Sequence, residues 1–304
     1  MEPGAAWLVR FGGETAALGA AFLWALASVC FRVIGQSLSP VRMNLVKNLL
    51  AAVLFAATLS AGDGVFIGLD RHSTMVFLAS GAVGIGMGDS AYFGALRSIG
   101  ARRALLMLVL APPLTALLSR LFLGEGLPGG AWLGVLVTTA GVAWVISERT
   151  LPGQAFRGGS LAGLGLAGVA VLGQSAGAVL SHAAFMHAAV DPMQSALLRL
   201  AGGTAVVLLL LPLERGRRQA EGRRPTTGRW LLIGFTVFTG TYLGLWLQQT
   251  ALKLTSAGVA QTLLSTSPLF VLPIAALAGE SVSLRAACGA LLAVAGVALL
   301  FALR

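Results

Sequence analysis

Charge is scarce in this chain. Only 11% of its 304 residues are Asp, Glu, Lys or Arg, whereas soluble domains carry about 25%, so a water-exposed globule is excluded. Cysteine is nearly absent: Cys30 and Cys288 sit alone in apolar stretches with no C-x-x-C pair, which excludes a disulfide framework and a zinc site. His182 and His187 have no third His, Cys or acid at ligand spacing, so no metal is expected. Walker and H-E-x-x-H motifs are missing, and the glycine-rich stretch Gly81 to Gly88 lies in an apolar run without the β-strand of a dinucleotide site. Nothing therefore calls for a cofactor or an enzyme, and the chain alone is no ATP-driven pump.

Hydrophobic residues are abundant. They make up 57% of the sequence. Apolar segments fall at about 15–34, 43–61, 73–95, 104–123, 130–147, 160–182, 193–213, 229–252, 257–278 and 284–303. Each is near the roughly 20 residues a spanning helix takes, and too long for a barrel strand. The expected fold is an all-α polytopic membrane protein with ten transmembrane helices. Residues 1–14 are too polar for a signal-peptide core, and the first apolar run is read as an uncleaved span. The net charge of +10 forms no basic amphipathic surface with interleaved aromatics; short arginine-bearing connections fit topology signals and lipid head-group contact better than nucleic acid. Gly, Pro and charge mark these connections, as at Ser39-Pro40, Gly124-Glu125-Gly126 and Asp191-Pro192, and one, Glu214 to Arg229, is strongly hydrophilic.

The second half repeats the first. A shift of 156 places Gly84 on Gly240, Gly88 on Gly244 and Pro112 on Pro268; a shift of 155 places Gly124-Glu125 on Gly279-Glu280 and Ala140-Gly141-Val142-Ala143 on Ala295-Gly296-Val297-Ala298. Earlier, a shift of 152 aligns Lys47 with Arg199. The repeats are assigned to residues 1–150 and 151–304, five helices each. A unit with an odd number of spans ends on the opposite side from where it starts, so its duplicate inserts upside down. The result is two inverted five-helix repeats, the arrangement of many secondary transporters, with substrate near the midplane between them.

Gly124-Glu125-Gly126-Leu127 and Gly279-Glu280-Ser281-Val282, each followed by a span ending in A-G-V-A, together with the run from Ala251 to Pro268, resemble the drug/metabolite transporter superfamily, specifically its EamA-like ten-helix exporters. The resemblance covers about residues 15–303. It implies export or exchange of small metabolites, often amino acids or drug-like molecules, without ATP hydrolysis, in a bacterial inner (plasma) membrane. It also implies cytoplasmic termini, whereas most Lys and Arg lie in connections after odd-numbered spans, which by the positive-inside rule puts the termini outside.

Charges within spans carry the most information, because each costs about 2.5–3.5 kcal/mol at mid-helix and tends to face a cavity or a partner. Asp89 is the one acid well inside a span, suited to hold a proton or meet a substrate ammonium, or else to form a structural salt bridge; Tyr92 shares its face. Lys47 and Arg199 either line a positive vestibule suited to a carboxylate or phosphate, or snorkel to head groups. His182 either titrates or supplies interface polarity. Trp24, Gln174, Tyr242, Trp246, Gln249, Gln261 and Ser265 form stripes of ring surface and hydrogen-bonding tips that suit an amphipathic metabolite, or bind helix to helix. Pro112, Pro113, Pro268 and Pro273 interrupt matching spans, as packing kinks or as gates. Gly84/Gly88 and Gly240/Gly244 are G-x-x-x-G pairs suited to helix packing or to a hinge. The expected partners are a small-molecule substrate, membrane lipids and a coupling proton, in a monomer or homodimer. A lipid flippase, a passive channel and, more remotely, an intramembrane enzyme acting on lipids are the competing functions.

Overall fold

The computed structural model describes residues 3–34, 39–62, 69–148, 161–214, 227–277 and 283–303. Among them the chain is helical throughout, without strands. The elements are α1 (Pro3–Ile34), α2 (Pro40–Ala61), α3 (Arg71–Gly81), a π-helical segment π1 (Ala82–Asp89), α4 (Ser90–Leu108), α5 (Ala111–Leu123), α6 (Gly129–Glu148), α7 (Leu161–His187) and α8 (Pro192–Glu214). They continue with α9 (Thr227–Thr236), a second π segment π2 (Val237–Leu243), α10 (Gly244–Leu254), α11 (Ala257–Leu264), α12 (Ser267–Leu277) and α13 (Leu284–Ala302). Nine helical stretches among the described residues are long and apolar enough to cross a membrane, and α1, which holds the 15–34 run, is the tenth helix. Leu121, Phe122, Leu209, Leu231 and Leu277 lie exposed on the outside, as lipid contact requires. Most of the 214–229 connection and the Gly279-Glu280 turn lie outside the described residues.

The duplication reappears as matched irregularities. Shifting by 156 carries π1 onto π2, so the paired glycines Gly84/Gly240 and Gly88/Gly244 fall at or beside the same distortion. Such π turns within α-helices are rare. The same shift carries the break between α4 and α5 at Val109–Leu110 onto the break between α11 and α12 at Ser265–Thr266. Pro112 and Pro268 are each the second residue beyond their break, where proline's missing N–H costs little. Two glycines hold left-handed backbone: Gly100 (φ 81°), where the third span ends, and Gly124 (φ 69°), which caps α5. A side chain at either position would strain the turn.

Packing crosses the halves. α1 lies against α9, π2, α10, α11 and α12, whereas α7 lies against α3, π1, α4 and α5; α2 pairs with α8 and α6 with α13. Each repeat thus lends its first helix to the other. The paired A-G-V-A runs meet along α6 and α13. A Cβ on Gly141 would strike the backbone of Ala293, with the Gly289 carbonyl 2.7 Å away, and one on Gly296 would strike Thr138. Small residues let these backbones touch, which is what drives helix association in lipid, where apolar side chains gain nothing over the solvent.

Gly141→Ala is therefore expected to lower stability by about 1–3 kcal/mol through overpacking against backbone that cannot rotate away. Gly165→Ala meets nothing within 4 Å and should leave the melting temperature of the detergent-solubilised protein unchanged. Equal melting of the two variants would contradict this account of the α6–α13 seam.

Candidate functional site

Three spans converge on Asp89, the last residue of π1. Lys47 Nζ from α2 donates to its Oδ2 at 2.7 Å, and Gln174 Nε2 from α7 donates to its Oδ1 at 2.9 Å. The side chains of Lys47 and Asp89 are 12% and 20% exposed, so protein covers most but not all of the pair. Asp89 lies eighteen residues from Arg71 and eleven from Gly100 within the third span, near its middle. Asn44, one turn before Lys47 on α2, donates from Nδ2 to the Ile85 carbonyl (3.1 Å) and to Ser90 Oγ (3.2 Å). An amide from α2 thus reaches a carbonyl of the π segment. Asn48, the next residue on that face, is fully buried, and neither atom of its amide has a hydrogen-bond partner.

A polar seam runs from Asp89 along α7. Gly88 packs against Gly173, and Gly84 against Gly177, close enough that the helices touch backbone to backbone. One turn further, Ser80 Oγ donates to the Gly177 carbonyl at 2.7 Å and shares a hydrogen bond with Ser181 Oγ at 2.8 Å. Arg199 on α8 enters here. It is 2% exposed, held by Gln249 Oε1 at 2.6 Å and Gln248 Oε1 at 3.4 Å, both through Nη1. Gln249 Nε2 in turn donates to Ser195 Oγ at 3.0 Å and more weakly to Ser181 Oγ at 3.4 Å. Gly81 and Gly202 allow the crossing: a Cβ on Gly81 would overlap the Arg199 carbonyl, and one on Gly202 the Leu78 carbonyl.

The seam ends at His182. Its Nδ1 meets the Leu252 carbonyl and its Nε2 meets Glu125 Oε1 at 2.8 Å. Glu125, from the turn between α5 and α6, also accepts from Ser119 Oγ at 2.8 Å and from the backbone N–H of Ala257, the first residue of α11. A carboxylate at a helix N-terminus answers donors that the helix cannot pair itself, and α11 has no side-chain cap of its own. The hydrogen bond from His182 is the main reason the Glu125 carboxyl lies below its ordinary pKa, with Ser119 and Ala257 adding to it against the opposing effect of burial.

The remaining sequence candidates are dispersed. Trp24 Nε1 donates to the Gly240 carbonyl of π2 at 2.9 Å, so this π segment, like π1, has a carbonyl met by a side chain from another helix. The Tyr242 hydroxyl pairs with Thr58 Oγ1 at 2.7 Å, and its ring sits 4.6 Å from that of Phe55. Trp246 packs in the same apolar cluster, so the Tyr242–Trp246–Gln249 stripe divides between that cluster and Arg199. Tyr92 lies against Phe93 beside α7. Gln261 is buried with an unpartnered Oε1, and Ser265 Oγ turns back to the Thr262 carbonyl. Pro112 is buried, Pro113 and Pro268 are half-buried, and Pro273 is exposed inside α12. Next to Pro112, the Ala111 carbonyl accepts from Ser175 Oγ of α7 at 3.1 Å. Sequence reasoning passed over Asn44, Asn48, Ser80, Ser195 and Gln248, and read Glu125 only as part of a turn motif. The two asparagines flanking Lys47 in an apolar run were the available signal, since lipid does not tolerate an unanswered amide.

A ten-helix bundle built from two repeats, with distortions at equivalent points and charged groups at mid-span, defines an integral membrane protein of the inverted-repeat type. The EamA-like transporter family matches the chain twice, over residues 11–147 and 161–302. The chain belongs to that family. A protein of known crystal structure is similar in fold, with a TM-score of 0.78 at 19% identity, covering 97% of this chain and 98% of that one. None of the curated proteins matches.

Because the Glu125 carboxyl is held below its unfolded value, its contribution to stability is complete above the ordinary carboxylate range and is lost as pH falls through the lowered value. Glu125→Gln is expected to melt lower than the unsubstituted protein at pH 7 and to lose part of the decline in melting temperature between about pH 5 and pH 3. An unchanged acid limb in the variant would show that the contact with His182 carries no such linkage.

Proposed function

We propose that this protein is a secondary transporter that exports or exchanges small polar or amphipathic metabolites, amino acids among them, by alternating access across a bacterial inner membrane. The observation that supports this best is the meeting of Asp89, Lys47 and Gln174 at mid-span beside a segment whose distortion recurs in the other half. A carboxylate already paired with an ammonium is a site where another ammonium can take over. The substrate's amine replaces Lys47 on Asp89, and the freed Lys47 stands ready to reclaim it on release. Such an exchange never leaves Asp89 bare, which in a span costs about 2.5–3.5 kcal/mol.

The irregular backbone supplies the movement. The α4–α5 and α11–α12 breaks divide two symmetry-related spans, and Pro112 and Pro268 keep those breaks from healing into continuous helix. Interrupted helices in matching positions of inverted halves are the usual place for transporter substrates to bind and for gates to bend. Tyr242 and Trp246 offer ring surface for an apolar side chain on the second-half side. A proton taking the place of the amine on Asp89 would couple flux to the pH gradient.

In proteoliposomes loaded with a mixture of amino acids, counterflow of labelled leucine and phenylalanine is expected, with Asp89→Asn reducing the rate at least tenfold while the protein still melts cooperatively. Wild-type rates in that variant would remove Asp89 from the transport path. Equal flux with and without an imposed pH gradient would remove proton coupling and leave facilitated exchange intact. Pro268→Ala restores a donor toward the Leu264 carbonyl; it is expected to slow counterflow several-fold without lowering the melting temperature.

A further inference from the structure

Arg199 is a buried cation with no carboxylate in contact; Asp89 acts on it only across a distance and is already paired with Lys47. The guanidinium is buried, yet its protein partners are two neutral glutamine oxygens, and both use one nitrogen, Nη1. Nε is buried without any acceptor. No hydrogen bond from Nη2 to the protein and no carboxylate within salt-bridge distance is found among the described residues. Nε–H and Nη2–H point the same way from a guanidinium and form the edge that grips a carboxylate with two parallel bonds. The protein therefore fixes one edge of Arg199 with neutral groups and leaves the bidentate edge for something else.

The surroundings hold that edge in place, enclosed and without an acceptor of its own. Gly84 faces it: a Cβ there would lie 3.1 Å from Nη2, so a larger residue would crowd the donors. The Arg199 backbone is clamped against Gly81. Gln249, which orients Nη1, is itself fully buried and held by Ser195. Gly84 lies five residues before Asp89 on π1, which places the guanidinium about 7–8 Å along the helix from that carboxylate. At this depth Lys47 and Arg199 bring two positive charges against the single negative charge of Asp89. The imbalance favours a ligand that contributes an anion.

We propose that Arg199 is the carboxylate receptor of the transport site: the substrate is a carboxylic acid whose carboxylate takes the Nε/Nη2 edge of Arg199 while its amine, where it has one, takes Asp89. This rests on the transporter reading and adds the substrate class to it. An unpaired cation buried in a span is costly, and a polar site built for two hydrogen bonds rejects an analogue that cannot supply them, because its own donors are then left unmade. A carboxamide offers one acceptor and an unwanted donor in place of two anionic oxygens.

The test measures binding separately from transport. The full chain in lipid nanodiscs is titrated with L-leucine and L-phenylalanine and with L-leucinamide and L-phenylalaninamide, with ligand-induced thermal stabilisation as the readout, and the same four compounds are tried in counterflow. The acids are expected to bind at least tenfold more tightly than their amides. Arg199→Gln should bring acids and amides within twofold of each other. Arg199→Lys keeps the charge and lacks the fork; it should weaken the acids at least tenfold and leave the amides unchanged, and it serves where Arg199→Gln does not fold. Wild-type binding that does not distinguish acid from amide, or a preference that survives either substitution, would overturn the proposal and show Arg199 to be a structural bridge between α8 and α10. Acid-selective binding through Arg199 without counterflow would overturn the transporter reading and leave the carboxylate site standing. The absence of both binding and counterflow would overturn both.

Discussion

Inside a hydrocarbon layer a polar group has no water to turn to, so leaving one unanswered by the rest of the chain is costly. That constraint organises this protein around the seam between α7 and the span formed by α3, π1 and α4. Glycines on both sides bring the helices into backbone contact, and the polar groups that flank the contact find one another, Gln174 with Asp89 and Ser80 with Ser181, while further along α7 His182 finds Glu125 of the α5–α6 turn. Close approach and polarity depend on each other. Short side chains such as serine reach across only because the backbones touch, and the backbones stay together because the hydrogen bonds hold without a hydrophobic force between helices.

The two halves solve the same geometric problem with different chemistry. Both have a π segment, and in both a carbonyl of that segment is met by a side chain from another helix, Asn44 at Ile85 and Trp24 at Gly240. The first half places Asp89 at the end of its π segment; the 156-residue shift puts Leu245, just beyond π2, in the matching position. The acid is thus confined to the first half, whereas cations stand in both, Lys47 on α2 and Arg199 on α8. Duplication set the backbone, and divergence of a few residues made the interior chemically asymmetric.

Most of the fold was legible in the sequence because hydropathy and span length are dictated by the bilayer, and because glycine and proline mark backbone geometry wherever they occur. The 156-residue shift that aligned Gly84 with Gly240 and Pro112 with Pro268 also aligns π1 with π2 and both mid-span breaks. The π turns themselves were not legible: no residue type encodes the extra residue that a π turn holds, and the glycines there read equally well as packing contacts. Charged candidates were found because ions are conspicuous among apolar residues. Their partners were not, since the pairing of Lys47 with Asp89 or of Arg199 with Gln249 depends on how spans far apart in sequence are arranged. The helical stripe Tyr242–Trp246–Gln249 assumed one regular face, and the neighbouring helices divide it between two environments.

The exchange of first helices between halves has a bearing on how the molecule can change shape. α1 is embedded among α9, π2, α10, α11 and α12, and α7 among α3, π1, α4 and α5. Separating residues 11–147 from 161–302 as two blocks would tear both of those seams at once. The units that these contacts hold together are mixed bundles, each made of one repeat's leading helix and the other repeat's core, so the boundary of close packing differs from the boundary between the duplicated segments.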